Sequence, residues 1–128
     1  MTGLLAGRRV LVVEDEMLVL MSIETALEDL GCSAIYAAAT VADALRVLAN
    51  HQFDAAMLDI NLGGEKSYPV ADALTKRGIP FAFSTGYGDH TDRPDHNHQP
   101  VLRKPYQNSE LIAVFERLVS EGPSLAAA

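Results

Sequence analysis

The chain has 128 residues, of which 48% are hydrophobic and 21% are charged, as is typical of one soluble globular domain. Its formal net charge of −7 argues against non-specific binding to nucleic acid, which requires a basic surface. No apolar run approaches the roughly 20 residues of a membrane-spanning helix, and the N-terminus lacks the order of a secretory signal. We therefore expect a cytoplasmic protein that binds neither nucleic acid nor membrane.

Short apolar runs alternate with segments of helical periodicity along the chain. Residues 9–13 form a continuous apolar run that is typical of a strand covered on both faces. Residues 17–30 place apolar side chains at three- and four-residue steps, which predicts a helix that ends at Gly31. The remaining predicted strands cover 34–37, 54–58, 79–83 and 101–103, and the remaining helices begin near Thr40, Pro69 and Asn108.

This alternation predicts an α/β fold with five parallel strands and right-handed crossovers, doubly wound in the order 2-1-3-4-5. The segment between Gly86 and Pro100 has no apolar stripe and contains Pro94, so the fourth helix should be short or missing. The domain is expected to cover 1–121. Residues 122–128 lose periodicity, and we expect them to form a frayed tail without an output domain.

Polar side chains follow four of the predicted strands. Glu14 and Asp15 come after the first strand, Asp59 ends the third, Thr85 ends the fourth and Lys104 follows the fifth. Singly, each has an ordinary explanation as a helix cap or a solvated surface residue. The carboxyl ends of parallel strands meet at one edge of a sheet, however, so these groups should converge into one site.

Three clustered carboxylates repel one another unless a cation joins them. Mg²⁺ suits such a site because it prefers oxygen ligands and keeps several waters. The sequence therefore predicts Mg²⁺ bound by Glu14, Asp15 and Asp59, with the backbone carbonyl of Asn61 completing the set of protein ligands.

The same residues indicate phosphoryl chemistry. Asp59 is the predicted nucleophile, because a carboxylate can form an acyl phosphate. Lys104 is suited to meet an incoming phosphoryl oxygen, and Thr85 is placed to donate a hydrogen bond to it.

In this order and spacing, the motifs resemble those of the response-regulator receiver domain over nearly the whole chain. Glu14-Asp15 resembles the acidic pair of that family, and Asp59 in Met-Leu-Asp-Ile-Asn matches its phosphoacceptor. Thr85 matches the Ser/Thr position and Lys104-Pro105 the Lys-Pro pair.

The resemblance implies a role in two-component or phosphorelay signalling. Such a protein accepts a phosphoryl group from a histidine kinase or a histidine phosphotransfer protein, with self-catalysed transfer and slow hydrolysis. It would be a signalling phosphoacceptor rather than an enzyme, and it would act through a downstream protein partner or through phosphate flux.

A narrower resemblance involves Pro-Phe-Ala-Phe-Ser-Thr-Gly-Tyr over residues 80–87. It is similar to the Pro-Phe-x-Phe-Ala-Thr-Gly-Tyr signature of the "FAT GUY" receivers, with Ser84 in place of alanine. Those receivers are often single-domain proteins, which implies a role in bacterial stress or multi-kinase signalling.

Two other classes of function are open to a chain of this architecture. A pseudo-receiver would keep the fold and bind a partner without phosphorylation. Its signature would be the loss of an acidic or lysine residue of the pocket, and this chain has lost none of them. An aspartyl-phosphatase would carry a second carboxylate two residues after the nucleophile, where this chain has Asn61. Both patterns therefore favour the receiver.

One departure from the family pattern concerns its switch. Most receivers place Tyr or Phe three residues before the lysine of the Lys-Pro pair, where this chain has Val101. The usual coupling between that aromatic ring and the Ser/Thr position, here Thr85, therefore cannot operate in its common form. Tyr87 is the available aromatic, either as a half-buried ring or as a cover over the phosphoryl group.

If Tyr87 covers the phosphoryl group, Tyr87→Ala should lose phosphate faster than the wild type, because water would reach the acyl phosphate more easily. The measurement is the dephosphorylation rate of the labelled protein. An unchanged or slower rate in the variant contradicts the hypothesis.

Overall fold

The computed structural model describes residues 3–86, 93–96 and 98–127, with 121–127 described by their backbone alone. None of the helices in these ranges is both long and apolar enough to cross a membrane. In chain order the elements are β1 (Arg9–Val13), α1 (Met17–Asp29), β2 (Ala34–Ala38), α2 (Val41–Asn50), β3 (Ala55–Asp59), β4 (Asn61–Leu62), β5 (Glu65–Lys66), α3 (Tyr68–Lys76), β6 (Phe81–Thr85), a 3₁₀ helix (Pro94–His96), β7 (Val101–Arg103) and α4 (Asn108–Ala127).

A five-stranded parallel sheet in the order β2-β1-β3-β6-β7 forms the centre of the fold. Counting only its own strands along the chain, this order is 2-1-3-4-5, which confirms the predicted doubly wound α/β fold. Helices α2 and α3 cover one face of the sheet, and α1 and α4 cover the other. In β1, Leu11 packs on the first side and Val12 on the second, which explains why the whole run is apolar.

Local signals set several of the helix boundaries. The Thr40 hydroxyl oxygen accepts a hydrogen bond from the Asp43 backbone N–H at 3.1 Å, so Thr40 is the N-cap of α2. The carboxylate of Asp43 accepts a hydrogen bond from Arg46. Gly31, at a φ of +87°, supplies the left-handed residue that follows α1.

Two features of the backbone differ from the predictions. β4 and β5 form a small antiparallel hairpin in a segment that the sequence did not divide into strands, because two-residue strands are too short to show periodicity. Its turn is Gly63-Gly64, and both residues have positive φ, as a tight hairpin turn requires. In addition, α4 continues to Ala127, although the prediction placed a frayed tail over 122–128, where Gly122 and Pro123 interrupt the apolar periodicity.

The segment between β6 and β7 carries only the short 3₁₀ helix among its described residues, whereas 87–92 and 97 lie outside them. His96 anchors this segment. Its side chain is 2% exposed and lies against the rings of Tyr68, Phe81 and Phe83. The ring nitrogen Nε2 is 2.9 Å from Asp72 Oδ1 on α3, so the segment is tied to α3 by packing and by a polar contact.

His96→Ala should lower the free energy of unfolding by about 2 kcal/mol, because it removes buried ring contacts and a hydrogen bond. Urea denaturation measures this change. His98→Ala is the matched control, since His98 is exposed and its loss should leave stability within about 0.5 kcal/mol of the wild type. Equal stability of the two variants would contradict the anchoring role.

Candidate functional site

The sheet brings the predicted site residues to its carboxyl edge. The carboxylate oxygens of Glu14, Asp15 and Asp59 lie within 4.8 Å of one another. Thr85 ends β6, the neighbour of β3, and Lys104 follows β7 at the same edge. The convergence expected from the strand order is therefore present in the structure.

Lys104 lies at the centre of this acidic pocket. Its ammonium nitrogen donates to Asp59 Oδ2 at 2.9 Å and lies 3.0 Å from Glu14 Oε1. It also donates to Glu16 Oε1 at 3.3 Å. Since Glu14 is 2% and Asp59 4% exposed, their charges have little water around them, and Lys104 supplies the compensating charge.

The pocket changes the acidity of its groups. Burial raises the pKa of Glu14 to about 7, and the charge of Asp59 adds to this effect, although hydrogen bonds from the Glu16 backbone and from Lys104 oppose it. Burial also opposes the charge on Lys104, but its contacts with Asp59 and Glu14 outweigh this effect and raise the pKa of Lys104. Lys104 is thus firmly protonated, while Glu14 would be ionised more fully beside a further cation.

An open cavity of about 270 Å³ gives access to Asp59 and Asp15. The β4–β5 hairpin forms one wall of it. The Asn61 backbone N–H donates to Asp59 Oδ1 at 3.1 Å, and the Asn61 side chain accepts from Gly64 N–H at 2.8 Å. A Cβ added at Gly63 would lie 3.6 Å from Asp15 Oδ2, so the turn runs close to the exposed carboxylate.

The donor set of this pocket fits a hard divalent cation. Three carboxylates converge, Asp15 is exposed to the solvent, and Asn61 lines the same cavity. A single ammonium group cannot neutralise three carboxylates, and a cation with oxygen ligands would relieve the remaining repulsion. Glu14, Asp15, Asp59 and the main chain at Asn61 are accordingly the residues that would hold Mg²⁺.

Thr85 contributes a buried hydroxyl next to this pocket. The residue is 2% exposed, and its oxygen has no hydrogen-bond partner among the described residues. Its carbonyl accepts from the Lys104 backbone N–H at 2.8 Å, which joins the two residues through their main chains. The peptide bond between Lys104 and Pro105 is cis.

Besides Thr85, the switch predicted from the sequence involves Val101 and Tyr87. Val101 begins β7, is 45% exposed and pairs in register with Phe83, so no aromatic ring occupies the family's usual switch position. Tyr87 lies outside the described residues, and its role as a cover over the phosphoryl group stays a prediction.

Two further residues join the site beyond those predicted. Glu16 contacts Lys104. Because it directly follows the Glu14-Asp15 pair, its position in the sequence could have indicated that it joins the site. Tyr106 follows the Lys104-Pro105 pair, and burial raises its pKa to about 12, with the charge of Glu14 adding to the effect. No pattern marked Tyr106, because its proximity to Glu14 arises only from the packing of distant segments.

Fold and site together define a doubly wound α/β domain with a lysine-bridged acidic pocket at the ends of its central strands. Residues 10–116 match the family model described as "Response regulator receiver domain". The chain belongs to the response regulator receiver family.

Individual relatives agree with this assignment. The chain is 32% identical over 129 residues to the transcriptional regulatory protein TcrA of Mycobacterium tuberculosis, covering 94% of this chain and 49% of TcrA. It therefore spans about half the length of the curated relatives that it matches. Among solved structures, it is similar to SdrG from Sphingomonas melonis Fr1, with 42% identity, a TM-score of 0.79 and coverage of 88% of this chain and 96% of that chain.

A further similar structure is the receiver domain of PhyR from Erythrobacter litoralis, with 26% identity and a TM-score of 0.80. It covers 94% of this chain and 95% of that chain. Both structural neighbours thus superpose on nearly the whole described fold.

The affinity for Mg²⁺ should rise about tenfold between about pH 6 and about pH 8. Glu14 has a pKa of about 7, so below this value a proton must leave before its carboxylate can bind the cation, and above it the site is already ionised. Titration with MgCl₂, followed by the amide NMR signals of Asn61 and Gly64, measures the affinity.

Glu14→Gln is the control for this pH dependence. It should bind Mg²⁺ more weakly but with an affinity that is nearly flat over the same range, because the titrating carboxyl group is gone. The same steep dependence in Glu14→Gln would assign the titration to another group.

Proposed function

We propose that this receiver domain accepts a phosphoryl group on Asp59 from a histidine kinase or a histidine phosphotransfer protein, with Mg²⁺ held by Glu14, Asp15, Asp59 and the carbonyl of Asn61. The observation that carries the proposal is the buried carboxylate of Asp59, reached through an open polar cavity and contacted by Lys104 at 2.9 Å. A carboxylate so placed can act as a nucleophile toward a group that enters from solvent.

The transfer step follows from these positions. One oxygen of Asp59 forms a bond to phosphorus, the bond between phosphorus and the donor's histidine nitrogen breaks, and that nitrogen keeps the electron pair. Lys104 and the hydroxyl of Thr85 bind oxygens of the transferred group, since an ammonium and a hydroxyl can both donate to it. Mg²⁺, when bound, supplies additional neutralisation of the charge on the phosphoryl oxygens.

Phosphoryl transfer would also change the contacts of Lys104. Before transfer its ammonium joins the Asp59 and Glu14 carboxylates; afterwards the phosphoryl group offers it a more highly charged partner. Because the Lys104 N–H bonds to the Thr85 carbonyl, a shift of either residue is passed to β6 and β7. This connection supports a role as a phosphorylation-controlled signalling protein rather than an enzyme with a separate substrate.

The surface beside the pocket suits a protein partner. Met17, Leu18 and Met21 of α1 are exposed to 65%, 82% and 53%, and Leu18 lines an open groove of about 540 Å³ that reaches Lys104 and Tyr106. Exposed apolar side chains grouped in this way mark interaction surfaces. A phosphoryl donor that docks there would bring its histidine to the cavity above Asp59.

The relatives support the finer parts of the proposal. A second structure that is 42% identical to this chain is described as the BeF₃-activated conformation of SdrG from Pseudomonas melonis Fr1. We therefore expect the same phosphoryl analogue to bind here. Together with the Pro-Phe-Ala-Phe-Ser-Thr-Gly-Tyr segment, this similarity supports a "FAT GUY"-type regulator that works in the cytoplasm through a protein partner or phosphate flux.

Incubation with acetyl phosphate and MgCl₂ should add the mass of one phosphoryl group to the wild type and none to Asp59→Asn, because the acyl phosphate can form only on a carboxylate. Asp29→Asn, a change at an exposed residue at the end of α1, should be modified like the wild type. Intact-mass spectrometry measures the adduct.

Absence of the adduct in the folded wild type, with beryllofluoride also failing to shift its NMR spectrum, would favour a phosphorylation-independent pseudo-receiver. An adduct that persists in Asp59→Asn would assign the phosphoryl group to another residue.

A further inference from the structure

A second cavity lies at the edge of the sheet opposite to Asp59. It has a volume of about 610 Å³ and is lined by Arg9, by the end of α2 with His51 and Gln52, and by Arg77. Arg9 begins β1, whereas the acidic pocket follows the other end of that strand. We call it the Arg9–Arg77 cavity, and the phosphorylation chemistry proposed above makes no use of it.

Arg9 has donors left over after its contacts with the protein. Its Nη2 donates to the Tyr36 hydroxyl at 3.1 Å and approaches His51 Nδ1 at 3.3 Å. The guanidinium carbon lies 5.4 Å from the centre of the Tyr36 ring. Its Nε is buried and has no hydrogen-bond partner, and the guanidinium forms no ion pair with a carboxylate in the described part of the chain.

Arg77 has a structural role that leaves its charge in the cavity. Its guanidinium donates to the carbonyls of Leu48 and of His51, the latter at 3.0 Å, and to the Gln52 side chain at 3.3 Å. These bonds cap the carboxyl end of α2 and offset the partial negative charge there. Its acceptors are neutral groups, and no carboxylate of a described residue pairs with it.

His51 adds a third donor. When its Nδ1 accepts the hydrogen bond from Arg9, the proton of the neutral ring is on Nε2. The ring is held against Tyr36 at a centroid distance of 4.4 Å, which fixes its orientation. Two arginines and an imidazole thus line one cavity in a protein whose formal net charge is −7.

We propose that the Arg9–Arg77 cavity binds a small oxyanion, carried by the phosphate or carboxylate group of a small molecule. The planar fork of a guanidinium matches both groups, and the volume is within the range of ligand sites. Helix capping accounts for Arg77, and contact with Tyr36 and His51 accounts for one nitrogen of Arg9. Arg9 Nη1 makes no hydrogen bond within the described part of the chain and, unlike Nε, is not shut off from the solvent, so an oxyanion in the cavity would accept a hydrogen bond from it.

The test uses the metal-free Asp59→Asn protein, so that the acidic pocket takes up neither phosphate nor Mg²⁺. Inorganic phosphate and citrate are titrated separately at constant ionic strength, and NMR follows the arginine Nε–H signals and the amides of residues 50–52. The expected result is a saturable shift of the Arg9 Nε–H signal with at least one of the two anions. Saturation by phosphate alone or by citrate alone identifies which group the cavity prefers.

Matched variants in the same background decide whether Arg9 is the binding group. Arg9→Gln should weaken the binding at least about tenfold, and Arg9→Lys should also weaken it, because the lysine keeps the charge without the fork. Arg103→Gln, at an exposed residue at the far end of β7, should bind like the parent protein. If Arg9→Gln does not fold, Arg9→Lys carries the comparison.

Three results would overturn the proposal. They are shifts that rise linearly without saturation for both anions, shifts that appear equally at Arg103, and an unchanged affinity in the folded Arg9 variant. None of these results depends on whether Asp59 is phosphorylated.

Discussion

The contact between the Lys104 ammonium and the buried carboxylates of Asp59 and Glu14 is the interaction on which the site depends. Sheet order places these carboxylates at the carboxyl ends of the adjacent central strands β1 and β3, where the neighbouring helices and strands exclude water. Removal of the ammonium alone would leave buried charge without compensation, which costs far more than an exposed ion pair contributes. Position and charge balance are therefore coupled: β7 must pair beside β6 for Lys104 to reach Asp59.

This charge balance also explains the chemistry that the pocket favours. With three carboxylates around one ammonium, the pocket has excess negative charge, which Glu14 partly avoids through its pKa of about 7. A divalent cation held by these carboxylates would remove the excess, and a phosphoryl group could then approach a carboxylate that would otherwise repel it. In the proposed transfer, charge neutralisation and attack by Asp59 would therefore depend on the same arrangement of side chains.

The sequence predicts the parts of the molecule that depend on local patterns. The continuous apolar run of β1, the cap at Thr40 and the order of the parallel sheet follow from periodicity and connection rules, and the sheet order then places Asp59 beside Lys104. What local patterns cannot reveal is contact between distant segments. The burial of His96 among aromatic rings in a polar stretch is such a contact, and the β4–β5 hairpin is too short for periodicity to show.

The face of β6 that carries Thr85 connects the site to the segment anchored by His96. Residues 81, 83 and 85 point to the same side of the sheet because side chains alternate along a strand, and Phe83 and His96 are in ring contact. Val101 provides no aromatic ring on β7, so the described rings nearest to Thr85 along this face of β6 are Phe83 and the two rings packed against it, Tyr68 and His96. Their packing is tied to α3 through Asp72, and it is this packing that the proposed phosphorylation signal from Asp59 would have to rearrange on this face.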